Sequence, residues 1–326
     1  MEIKELGEFG LISEIKTAFS SVPSGILGIG DDCAVIPQVT GMDTLVSTDM
    51  LVEGSHFLME DVSPWRLGWK SAAVNISDIA AMGGRPTATF LSLALPKDLP
   101  ASWIRGFVDG YREISQIYGV PLLGGDTTSS KDRLCINVAV LGEIASGCAK
   151  LRSMAKVGDL VCVTGHLGDS AGGLRAILDS ASAKCSAMQD SVTETLMERH
   201  YLPHPRVAEG IALAGCEAVH AMMDISDGIG SDLRHILDAS GVGAEISLAS
   251  LPVSAELDAF CRMRGLDARE LAVSGGEDYE LLFTVDASGE KTLEVEHTVI
   301  GRITEAGDPA VRWLGSDRDY SGFRHF

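Results

Sequence analysis

Basic residues are scarce in this chain of 326 residues: 26 lysines and arginines stand against 46 aspartates and glutamates, a formal charge of −20. That balance argues against a nucleic-acid-binding or anionic-membrane surface, which needs basic stripes. Phosphate ligands stay open, because metal ions can carry them to an acidic protein. No apolar run nears the roughly 18 residues of a membrane span. The stretch MEIKELGEFG is acidic, so no secretory signal is expected. Seven cysteines are scattered singly with no C-x-x-C pair. They read as reduced, mostly buried thiols of a cytoplasmic protein. Also missing are a G-x-x-x-x-G-K-[ST] loop, a complete G-x-G-x-x-G, a protein-kinase motif set and a G-x-S-x-G elbow. A nucleotide, if bound, must be held without the usual lysine loop.

What is present is an ordinary globular composition, 45% hydrophobic and 22% charged, long enough for two cores. Apolar strands (DTLVSTDMLV, TATFLSLALP, RLCINVAVLGEI) mix with helices, one of them WRLGWKSAAVNISDIAAMG, stopped by Gly83 and Gly84. Another helix spans Ser102 to Tyr118 and ends at Gly119. After the polar, basic GCAKLRSMAKVGD, strands and helices alternate irregularly. The pattern predicts two α+β domains, residues 1–148 and 149–326, and not a doubly wound sheet.

Aspartates recur where apolar segments meet glycines. GIGDDCAVI holds Asp31 and Asp32, VSTDM sets Asp49 beside Ser47 and Thr48 at a strand end, and NISDIAAMGG carries Asp78 on a helix. LLGGDTTS sets Asp126 after Gly124 and Gly125, MMDISDGIGSD holds Asp224 and Asp227, and SGGEDYELLF holds Glu277 and Asp278. Each instance alone is an ordinary turn or a solvated carboxylate. Together, with few basic neighbours, they call for a common cause. Bare carboxylates 4 Å apart repel by about 1 kcal/mol in water and by more where water is excluded. Mg²⁺ removes that penalty; it takes oxygen ligands and is held by one or two carboxylates plus substrate phosphates. Asp31 and Asp32 are therefore expected to face a cation, one or both. His200 and His204 have helical spacing, but Pro203 between them disfavours a helix and a transition-metal site.

The ordered series GIGDDCAV, STDMLVEGSHF, NISDIAAMGG, GGDTTSS, DISDGI and SGGEDYELLF resembles the thiamine-monophosphate kinase family, of the superfamily that includes aminoimidazole ribonucleotide synthetase. The resemblance implies transfer of the ATP γ-phosphoryl group to thiamine monophosphate, giving thiamine diphosphate. It implies a homodimer whose N-terminal domains share a β-barrel, each followed by an α+β domain. Family metal ligands fall on Asp32, Ser47, Thr48, Asp49, Asp78, Asp126, Asp224 and Asp227. Nucleotide contacts fall on Gly125, Asp126, Arg152 and Ser226, and substrate contacts on His56, Glu277 and, near the C-terminus, Tyr320, where the family has tryptophan. No cysteine precedes GIGDD and none closes GFRHF. Both absences favour this kinase over the related selenophosphate and hydrogenase-maturation enzymes.

Within that frame Asp49, Asp78 and Asp126 bind Mg²⁺ bridging the ATP phosphates, and Asp32 and Asp224 hold metal near the acceptor. Arg152 is a guanidinium clamp on phosphate. Glu277, with no obvious positive partner in its loop, suits a cationic thiazolium ring, and Tyr320 adds a cation–π contact of about 0.5–2 kcal/mol.

Overall fold

The computed structural model describes residue 31 and residues 34–37, 41–181, 191–307 and 309–323. The first part is a five-stranded sheet of β1 (Ala34–Pro37), β2 (Met42–Val52), β3 (Arg85–Pro96), β4 (Leu122–Ser130) and β5 (Cys135–Ala145), in the order β1-β2-β5-β3-β4. Burial alternates along β5, the period-2 signature of a half-buried sheet. The inward face meets helices α1 (Pro64–Ala81) and α2 (Ala101–Tyr118), with Leu45, Leu67, Ile76, Phe107 and Ile136 shut from solvent.

Helix α1 begins as its sequence directs. Ser63 accepts a bond from the Arg66 amide and Pro64 takes the first turn, where its missing N–H costs nothing. The two helices cross closely because glycines face each other: a Cβ on Gly68 would lie 1.9 Å from the Phe107 carbonyl oxygen, and one on Gly110 equally near that of Trp65. Gly119 closes α2 at φ 65°.

The second part is a six-stranded mixed sheet, order β11-β8-β10-β6-β9-β7. Its strands are β6 (Leu160–Val163), β7 (Val219–Asp224), β8 (Gly243–Ser247), β9 (Leu281–Val285), β10 (Thr298–Thr304) and β11 (Val311–Leu314). Its helices are α3 (Asp169–Ala181), α4 (Ser191–Tyr201), α5 (Val207–Ala214), α6 (Ile229–Ser240), α7 (Ala255–Arg264) and α8 (Ala268–Ser274). All five β9 residues are buried: Leu282 joins a core with Ile229 and Leu233 of α6, while Phe283 joins one with Leu213 of α5. The two α+β parts meet along α1, where Gly210 of α5 leaves room for the Ala80 carbonyl; a Cβ there would lie 2.3 Å from it.

Two sequence expectations fail in the first sheet. Asp49 is not at a strand end, since β2 continues through it to Val52. Leu122–Ser130 is no glycine loop but an edge strand paired in parallel with β3. Gly125 is needed there because a Cβ would lie 1.7 Å from the Leu91 carbonyl oxygen, so close strand approach explains the glycine.

Candidate active site

A cavity of about 960 Å³ opens between the two parts, lined by β2, the turn after it, α1, α3, the end of α4 and the segments around 224–227, 270–279 and 321–323. One helix orders it. Leu67, Lys70, Val74 and Asp78 all line the wall, and their 3- and 4-residue spacing makes one stripe of α1 about 16 Å long. The carboxylate pole lies at the Asp78 end, and Lys70 lies about 12 Å before it.

Asp49, Asp78 and the neighbouring pair Asp224 and Asp227 all contribute to this wall, although the chain separates the three stretches that carry them. Serines fix two of them: the Ser47 hydroxyl donates to Asp78 at 2.5 Å and the Ser77 hydroxyl to Asp224 at 2.5 Å. Asp49 is anchored through its backbone, its N–H donating to the Asn75 amide oxygen at 3.0 Å. Negative charge concentrates here. The buried Tyr279 hydroxyl is pushed well up by burial and then by Glu277, Asp49, Asp224 and Asp78. Asp232, behind the wall, is raised by burial and by Asp227 and Asp224. It accepts from the Asp227 and Gly228 amides at 3.1 and 3.0 Å. Among the described residues no three carboxylate or imidazole groups converge tightly enough to cage a cation by themselves. This all-oxygen donor set fits Mg²⁺, which one or two carboxylates hold while phosphates and water complete the shell.

The middle of the cavity carries a different arrangement. Lys70, 2% exposed, sits with Nζ 2.9 Å from Glu277 Oε1, and His200 Nδ1 lies 3.5 Å from Oε2. Lys70 Nζ, which can only donate, is 3.4 Å from His200 Nε2. The imidazole proton therefore belongs on Nδ1, facing the Ser170 hydroxyl at 2.9 Å. Burial, reinforced by Lys70, lowers the His200 pKa to about 3, so the ring is neutral. Burial raises the Glu277 pKa, but Lys70 and then His200 outweigh it and hold the carboxyl below its usual range. Glu277 thus has a positive partner, contrary to the sequence reading, which missed Lys70 and His200. Its backbone is left-handed at φ 64°, sparse territory for a side-chain-bearing residue, and its N–H is tied to the Ser226 carbonyl at 2.7 Å.

The remaining expectations divide. His56 and Ser226 line the cavity; His56 Nδ1 accepts the Val52 N–H at 3.0 Å, which puts the neutral ring's proton on Nε2. Ser47 reaches the site through Asp78. The Thr48 side chain falls on the other face of β2, where its hydroxyl donates to the Val138 carbonyl at 3.0 Å. Gly125 and Asp126 are exposed on the edge strand and not in the cavity wall. Arg152 stands outside the wall but near it. Its N–H donates to Asp31 at 2.8 Å, its Nε lies 4.0 Å from the same oxygen, and its charge reaches Asp232. Asp31 thus faces the Arg152 guanidinium; Asp32 lies outside the described residues. Tyr320 packs edge-on against Trp313 away from the cavity. The C-terminal aromatic in the wall is Phe323, 51% exposed, its N–H bonded to the Asp227 carbonyl at 2.9 Å. His200 ends α4 before Pro203 and His204 packs edge-on against Trp69, so no helix carries both.

Residues 30–144 match the N-terminal domain of the AIR synthase related proteins, and residues 156–314 match their C-terminal domain. The class is therefore an AIR synthase related protein. The thiamine-monophosphate kinase of Escherichia coli K12 is 39% identical over 338 residues, covering 98% of each chain. That of Bacillus subtilis is 39% identical over 291 residues, covering 89% of this chain and 87% of its own. AaThiL complexed with AMPPCP and TMP superposes with a TM-score of 0.90 at 36% identity, covering 100% of this chain and 99% of its own. Within the AIR synthase related proteins, the chain belongs to the thiamine-monophosphate kinase family.

Proposed function

We propose that this chain phosphorylates thiamine monophosphate with ATP, giving thiamine diphosphate and ADP by direct transfer. The observation that carries the reading is the polarity of one cavity: Asp49, Asp78 and Asp224, brought from distant parts of the chain to the 75–78 end of α1, and Lys70, which holds Glu277, about 12 Å of helix rise before Asp78. A phosphorylated cation laid along the stripe puts its phosphate among the aspartates and its ring beside Glu277. The relative solved with AMPPCP and TMP supports a site that takes both ligands together.

Asp49, Asp78, Asp224 and Asp227 would hold Mg²⁺, with Asp32 and the Ser47–Asp78 bond completing the set; when bound, the metal neutralises charge on the phosphates. The acceptor phosphate needs no general base, because its second pKa is about 6 and its oxygen is ionised at neutral pH. The chain's own task is therefore positioning. Ser77 and Ser47 fix two carboxylates, Arg152 offers a guanidinium on the nucleotide side with Ser226, and His56 donates from Nε2. Glu277 meets the cationic ring, and Phe323 takes the stacking role first assigned to Tyr320.

A homodimer is part of the reading. Met50, Phe90, Leu122 and Leu123 are exposed on the first sheet, and among the described residues β4 is an edge strand paired only with β3, a liability unless something pairs with it. A second copy there turns Gly125 and Asp126 from solvent-facing into interfacial residues and closes the barrel. The division at residues 148/149 keeps one sheet in each part.

The test is to mix the protein with ATP, Mg²⁺ and thiamine monophosphate and to follow ADP and thiamine diphosphate together. Equimolar appearance of both is expected. ADP formed only with another acceptor, or nucleotide bound without turnover, overturns the reading.

A further inference from the structure

Lys70 is the least expected group in the cavity wall. It is a lysine 2% exposed, on a helix whose neighbouring positions are Leu67, Ser71 and Val74, and it pairs with a carboxylate from a loop some two hundred residues further along the chain. Taking such a pair out of water is costly, and an apolar pair of similar volume commonly serves stability as well or better. The pair also sits where an ion pair is of use: both residues line the cavity, and Glu277 keeps 29% of its side chain exposed to it.

The geometry gives Lys70 something to do. Its Nζ lies 2.9 Å from Oε1, while the neutral His200 ring, held by Ser170, packs 3.5 Å from Oε2. The backbone beneath is held at positive φ by bonds from the Glu277 and Tyr279 amides to residues 226 and 225. One carboxylate oxygen and the backbone are thereby set before any ligand arrives, and the carboxylate keeps an exposed part towards the cavity. Held in this way, the carboxylate is pre-organised.

We propose that Lys70 is a positioning residue for substrate: through its own bond it fixes the ionised Glu277 carboxylate in the orientation that receives the cationic ring of thiamine monophosphate. The inference rests on the functional reading above and adds a residue to it. It separates Lys70 from the phosphate chemistry, because Lys70 lies about 12 Å along α1 from Asp78. Loss of the lysine should therefore be felt by one substrate and not by the other.

The experiment is a two-by-two set of steady-state kinetics on the full chain: parent, Lys70→Gln, Glu277→Gln and the double variant, with KM measured for both substrates. Lys70→Gln is expected to raise KM for thiamine monophosphate about 10- to 100-fold, the worth of a hydrogen bond to a charged group. KM for ATP should stay within about twofold. The double variant should be no worse than the worse single one, because the lysine acts through the glutamate. Lys70→Arg, which keeps the cation, should recover part of the loss and guards against misfolding of the glutamine variant. Equal rises in both KM values, or losses that multiply in the double variant, overturn the inference. A parent inert towards thiamine monophosphate overturns the functional reading first and the inference with it; an active parent whose Lys70→Gln variant matches it overturns the inference alone.

Discussion

The two ends of the α1 stripe handle buried carboxylates in opposite ways. At the Glu277 end the protein supplies the counter-charge itself, as Lys70 at 2.9 Å. At the far end Asp78 and Asp224 accept from serine hydroxyls at 2.5 Å, which orient each carboxylate. Burial, and then the charges of Glu277, Asp49, Asp224 and Asp78, push up Tyr279; burial, and then Asp227 and Asp224, push up Asp232. Under the proposed reading, Lys70 completes one end within the protein, and bound Mg²⁺ and phosphates complete the other.

The comparison breaks first at the aspartates. Asp224→Asn should keep the Ser77 bond and lose the charge, cutting kcat by about 10²–10³-fold, as removing one electrostatic stabiliser does; steady-state rates with Mg²⁺ titrated would show it. A near-normal rate and metal dependence would mean that this end is structural.

The next effect is on stability. His200 has a folded pKa of about 3 against the ordinary 6.5, so the folded state refuses a proton that the unfolded chain takes. Stability from this group is complete above pH 6.5 and drains as pH falls towards 3, by about 2 kcal/mol between pH 6.5 and 5. Urea midpoints across that window should fall more steeply for the parent than for His200→Gln, which keeps Lys70, Glu277 and Ser170 in place. Parallel curves would mean that the ring is not held neutral.

Smaller effects sharpen the ring end. Glu277→Gln should raise KM for thiamine monophosphate at least as far as Lys70→Gln does, about 10- to 100-fold, with KM for ATP unmoved. Phe323→Ala should raise the same KM by about three- to tenfold, a cation–π loss of around 1 kcal/mol, while Tyr320→Phe should leave kinetics unaltered. The reverse ranking of the two aromatics would restore Tyr320 to the site.

Much of this was legible in the chain because local signals matched the final structure. Gly83–Gly84 follow the end of α1, Gly119 ends α2, and the aspartates at 49, 78, 224 and 227 do share a cavity. The misses have physical causes. Lys70 reads as a solvated helix lysine because its burial depends on α4 and the 275–279 loop, both far along the chain; only its stripe with Val74 and Asp78 hints at a common face. Leu122–Ser130 reads as a turn because glycines that admit a close neighbouring strand look like glycines that bend a loop. Phe323 was passed over for Tyr320, since two aromatics three residues apart in an irregular tail face opposite ways, and no periodicity decides between them.

The most direct measurement is a structure of the protein with Mg²⁺, a non-hydrolysable ATP analogue and thiamine monophosphate bound together. Metal and phosphates should lie among Asp49, Asp78 and Asp224, with the thiazolium ring between Glu277 and Phe323 and Lys70 still on Glu277. Phosphate on Lys70, or the ring among the aspartates, would contradict the account.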